Sequence, residues 1–62
     1  MTLRFMVQTI TAAGEGMVNV IFVRLADSGA ALNTSYMTIT MTHDESAPYR
    51  IGSEYTADIK GA

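Results

Sequence analysis

Apolar and polar residues alternate along most of this chain, the spacing that places side chains on the two opposite faces of a β-strand. The alternation is cleanest in Tyr36-Met37-Thr38-Ile39-Thr40-Met41-Thr42, where Met37, Ile39 and Met41 form an apolar row and the tyrosine and threonines a hydroxyl row. Leu3 to Ile10 alternates too, which predicts Leu3, Phe5 and Val7 on one face and Arg4, Met6, Gln8 and Ile10 on the other. Met17 to Leu25 is different. Val18, Val20 and Phe22 would point one way and Met17, Ile21, Val23 and Leu25 the other, so neither face is polar and the run reads as a central strand covered on both sides. Its β-branched residues, stiff at χ1, favour strand over helix. A last alternation, Tyr55 to Lys60, sets Tyr55, Ala57 and Ile59 inward and Thr56, Asp58 and Lys60 outward.

Turn chemistry separates these runs. Ala12-Ala13-Gly14-Glu15-Gly16 carries two glycines suited to a short hairpin loop, so the first strand is expected to pair antiparallel with the central one. Ala26 to Thr34 reads as a nine-residue connection with a turn at Asp27-Ser28-Gly29 and room for one helical turn at Ala30-Ala31-Leu32. Being the longest irregular stretch, it is the first loop to consider for contacts with another molecule. His43 to Pro48 breaks the third strand, with a helical cap expected at Asp44 and a stop before Pro48. Gly52 is the expected positive-φ residue of the turn into the last strand.

Four strands, with room for a short fifth, in 62 residues predict an all-β chain: one small domain over residues 1–62, built as a small antiparallel barrel or a strongly curled sheet of four to five strands. A chain this short buries only about 60% of the surface its unfolded form exposes. It contains no cysteine, which removes disulfides and thiolate zinc sites as supports, yet 48% of its residues are hydrophobic. Association with further copies is the remaining way to cover that surface. Met6 and Ile10, placed together by the alternation, with Tyr36, Thr38 and Thr40 of the third strand, are the candidate interface.

Charge narrows the choice of partner. Six acidic residues face four basic ones, and Arg4, Arg24, Arg50 and Lys60 are scattered singly, so no basic stripe is present for a phosphate backbone and nucleic acid is not an expected partner. No apolar stretch approaches the roughly 20 residues that span a bilayer, and Met1-Thr2-Leu3-Arg4 does not read as a secretory leader. The expected setting is the cytoplasm of a host cell or the body of a virion, without a membrane.

Candidate chemistry is sparse. His43-Asp44-Glu45 is the one cluster of metal-ligating or acid-base types, but neighbours on a turn point in different directions and a solvated turn is the simpler reading. Ser35, Ser46 and Ser53 lack a nucleophile-elbow pattern, and Gly14-Glu15-Gly16 lacks the downstream glycine and helix of a phosphate loop. No catalytic residue, metal or cofactor is therefore expected. Tyr36, Tyr49 and Tyr55, with Arg24 and Arg50, are the candidates for an alternative: a stacking surface for bases or a small ligand, set against a reading in which Tyr55 is core, Tyr49 packs over one end and Tyr36 is half exposed. Met6, Met17, Met37 and Met41 read as core filling or as a plastic contact surface.

The run Tyr36 to Met41, followed by Pro48 to Ile59, resembles the C-terminal half of a group of small tailed-bacteriophage proteins. Their pattern is all-β and ends in hydrophobic, x, Gly, x, x, Tyr, x, x, Asp, hydrophobic, matched here by Ile51, Gly52, Tyr55, Asp58 and Ile59. The resemblance covers the final third of the chain. It implies a phage origin and carries over no functional residue. Together these readings lead to the expectation of a non-enzymatic, self-associating accessory protein that decorates or stabilises a capsid, with itself and a capsid protein as partners. The alternative is a small binding module that sequesters a host factor or ligand.

Overall fold

Glu15 and Gly16 form a two-residue loop in which Gly16, at φ 70°, takes the left-handed conformation that a side chain disfavours. The loop folds strand β1 (Thr2–Gly14) back onto β2 (Met17–Leu25) in antiparallel register, from Gly14 opposite Met17 to Arg4 opposite Leu25. In the computed structural model, which describes residues 1–60, these strands are joined by β3 (Ala31–Thr42) and β4 (Glu54–Asp58) in one antiparallel sheet of order β3-β2-β1-β4. Residues 61–62 lie outside the described chain. The protein is thus all-β with four strands in a single sheet. The sheet is not closed into a barrel: β3 and β4 are its two edges.

The second connection is shorter than the sequence suggests. Ala26 donates to Ala30 and Gly29 to Ala26, closing a loop of Ala26–Ala30, and Ala31 and Leu32 are already opposite Leu25 and Arg24. Ala30-Ala31-Leu32 therefore makes no helical turn, because the backbone of β2 offers these residues a ladder partner. Asn33, Thr34 and Ser35 have no partner on β2, and from Tyr36 opposite Val23 to Thr42 opposite Met17 the register runs without interruption.

One face of the sheet holds the main core. Phe5, Val7, Val20, Phe22 and Met41 are buried there, with Leu3, Ile10, Val18, Met37, Tyr49, Tyr55 and Ala57 packed around them. Val7 and Val20 are fully enclosed, each worth about 1.5–3 kcal/mol of apolar burial. Val23 and Leu25 are buried on the opposite face, Val23 between Met6 and Tyr36 in the register, so β2 is covered on both sides within one chain. The run is thus an inner strand, with Val20 and Phe22 buried on one face and Val23 and Leu25 on the other.

Ile10 departs from the face that the alternation predicts. A bulge at Gln8 interrupts the register between Val7 and Thr9, so Val7 lies opposite Phe22 and Ile10 opposite Val20, on the core face. One extra residue reverses every side chain after it, and Ile10 is separated from Met6, which stays on the other face opposite Val23. The last strand is also shorter than the alternation implied. It ends at Asp58, and Ile59 is exposed, not turned inward.

Candidate functional site

The segment from His43 to Ser53 carries the chain from edge strand β3 to the other edge, β4, and in doing so lays Tyr49 on the core face. It is pinned at both ends. The His43 amide donates to the carbonyl of Gly16, and at the far end Gly52 donates to the carbonyl of Val7 while Val7 donates to that of Ser53. Gly52 has φ 89°, the conformation expected of this turn. Where the chain leaves β3, Thr42 and Glu45 form a reciprocal pair: the Glu45 amide donates to Thr42 Oγ1 at 3.1 Å, and the Thr42 amide to Glu45 Oε1 at 2.9 Å. The cap of this turn is therefore Thr42 and not Asp44, because only Thr42 stands three residues before an acid able to reach back to it. Hydrogen bonding from Thr42, its backbone first and its side chain second, holds the Glu45 carboxyl below the ordinary value of 4.5.

Phe22 is the hub of the aromatic cluster that results. Its ring stands edge-on to Phe5 at 6.3 Å, to Tyr49 at 5.6 Å and to Tyr55 at 6.4 Å between centroids, and Tyr49 and Tyr55 lie 5.0 Å apart. The Tyr55 hydroxyl donates to the carbonyl of Pro48 at 2.7 Å, tying β4 to the connection.

Next to this cluster is a half-open cavity of about 170 Å³. Phe5 and Phe22 of the inner strands line it, with Met37 and Ile39 from one edge, Tyr55, Thr56 and Ala57 from the other, and Tyr49 from the connection. Residues of both edge strands meet at one cavity although β3 and β4 share no hydrogen bonds. The lining is apolar and aromatic, the chemistry that accepts an apolar side chain or a small aromatic molecule.

The residues singled out from the sequence are dispersed by this geometry. Tyr49 reaches the cavity, whereas Tyr36, opposite Val23, is on the other face and 47% exposed. Arg24 stands opposite Phe5, with its Nε buried and without a hydrogen-bond partner, and Arg50 is exposed in the connection. The proposed ligand contacts Tyr36, Tyr49, Arg24 and Arg50 thus do not make one surface: Tyr49 meets Tyr55 at the cavity, and Tyr36 lies on the other face. Of the proposed interface residues, Met6, Tyr36, Thr38 and Thr40 share the face opposite the core, and Thr40 donates from its hydroxyl to Asn19 Oδ1 at 2.6 Å. Ile10 is excluded from that face by the bulge.

Met37, read from the sequence as core filling or contact surface, lines the cavity, and sequence reasoning missed Ile39 and Ala57 beside it. Each sits in an alternating apolar row, and the row itself was the available signal. Among the described residues no three His, Asp or Glu side chains are grouped to hold a metal ion, and no helix is long and apolar enough to cross a membrane. His43 is exposed on its turn. Comparison with family models, with curated proteins and with solved structures finds no match.

Proposed function

We propose that the protein is a non-enzymatic assembly component that works by associating with copies of itself, as an accessory or decoration protein of a phage particle that acts in the host cytoplasm or on the virion. The observation that supports self-association is where the apolar surface is left over. Tyr36, Ile39, Ile51 and Ile59 remain between 40% and 65% exposed in a chain that has already covered its central strand. Phage origin and a capsid partner rest on the resemblance of Tyr36–Met41 and Pro48–Ile59. Size-exclusion chromatography with light scattering tests the first part: a mass above one chain is expected, and a stable monomer at high concentration overturns it. Co-sedimentation with purified capsids tests the second, with saturable binding expected.

The aromatic cavity supports a second reading, a small binding module. A thermal-shift panel of nucleotides and small aromatic compounds distinguishes it. A saturable rise in Tm that is lost in Ala57→Trp, where the larger ring occupies the cavity, would favour ligand binding over assembly.

A further inference from the structure

We propose that two copies join edge to edge through β3, antiparallel and about a two-fold axis, so that two four-stranded sheets become one continuous sheet; this deepens the self-association reading and rests on it. The sheet offers three stretches of unpaired backbone, and two are guarded. β4 is five residues long and carries Glu54 and Asp58, with Lys60 just beyond. β1 is free on its outer side after Val7, where pairing with β4 stops, but that stretch is flanked by the irregularities at Gln8 and Ala13. Short length, charge and bulges are the devices by which edges avoid pairing.

β3 has its irregularity at Asn33–Ser35, before the stretch from Tyr36 to Thr42, and within those seven residues it has none of these devices. These residues run in unbroken register with β2, without a charged residue, proline or glycine. It is also the one strand of the four without a charge, in a chain of net charge −2. That favours a second copy as the occupant. Copies repel one another through the acids carried elsewhere, and along β3 nothing repels. A partner strand bearing charges would find no opposite charge to meet.

The side-chain pattern is self-complementary as well. In an antiparallel pair of identical strands, residues directly opposite share a face. With the axis at or beside Thr38 and Ile39, the row Met37, Ile39, Met41 faces its own copy, and so does the hydroxyl row Tyr36, Thr38, Thr40. Ile39, 40% exposed in one chain, becomes enclosed, and the two aromatic cavities come to lie on one face, on either side of the seam.

The chain's lack of cysteine makes the test direct. Single variants Thr38→Cys, Ile39→Cys and Thr40→Cys, with Thr56→Cys on β4 as control, are oxidised in otherwise intact protein. A covalent dimer is expected at the β3 position nearest the axis, falling off away from it, with the β4 control remaining uncrosslinked. Thr38→Lys, at an exposed position off the core face, places like charges across the seam and is expected to weaken dimerisation about tenfold with its Tm as a monomer retained. A dimer by light scattering that yields no β3 crosslink and tolerates Thr38→Lys overturns the edge assignment and leaves self-association standing. A chain that stays monomeric overturns both.

Discussion

The ring of Phe22 meets that of Tyr49 edge-on, 5.6 Å between centroids and 87° between planes, and this contact holds the crossing from β3 to β4 against the core. Phe22 lies on an inner strand and is 4% exposed, so the pair couples sheet and connection through one buried residue.

Phe22→Leu keeps most of the apolar volume and removes its three edge-on ring contacts. The expected loss is about 2 kcal/mol, roughly a 10 °C fall in Tm for a domain of this size. Thermal unfolding followed by circular dichroism measures it, together with a change in near-ultraviolet signal from Tyr49 and Tyr55. Phe22→Ala is expected to unfold the domain, whose whole stability is only about 3–9 kcal/mol by length.

The bulge at Gln8 is tested by charge placement. Ile10→Lys puts an ammonium on the core face opposite Val20 and is expected to cost about 2 kcal/mol, whereas Thr11→Lys, exposed on the next residue, stays within about 0.5 kcal/mol of the parent. Urea unfolding of the two variants gives the comparison. A larger loss in Thr11→Lys than in Ile10→Lys would mean that β1 continues past Val7 in plain alternation.

The pairing of Thr42 with Glu45 has a pH signature. Because the folded carboxylate titrates below its ordinary value, its contribution is present above that value and is lost as pH falls through the lowered one. An NMR titration of Glu45 is expected to place its midpoint below 4.5, and Thr42→Ala to move it back up by removing the hydroxyl partner. An unchanged Glu45 midpoint in Thr42→Ala would assign the effect to the Thr42 amide alone.

Arg24 has an Nε buried without a partner, an arrangement that costs about 1–3 kcal/mol when a donor is left unsatisfied. Arg24→Met keeps the apolar stem and removes that donor, so stability is expected to hold or to rise by about 1 kcal/mol. Denaturant midpoints decide it, and a marked fall would show that the guanidinium makes a compensating contact in solution.

Strand existence was legible because alternation is a local property. Each row, Leu3-Phe5-Val7 or Met37-Ile39-Met41, is written in residues two apart, and the two-sided apolar run Met17 to Leu25 could only be an inner strand. The glycine loop at Gly14 to Gly16 was legible for the same reason, since a left-handed turn needs glycine wherever it stands. The start of β3 was not legible. Ala31 and Leu32 have no strong strand preference of their own and become strand only because Leu25 and Arg24 are there to pair with them.

The sequence by itself determined an all-β chain with an inner β2, short glycine turns and no charge on β3. Tertiary structure alone decided that Ile10 turns to the core, that β3 and β4 are the edges, and that Phe22, Met37 and Ala57 line one cavity. The bulge at Gln8 marks the sequence only by the change of apolar positions from Phe5 and Val7 to Ile10, with polar Thr9 between. A single apolar residue out of phase does not fix a bulge without the pairing partner. Which strands border one another is set by pairing over long sequence separations, and that information is carried by the whole sheet and by no single stretch of it.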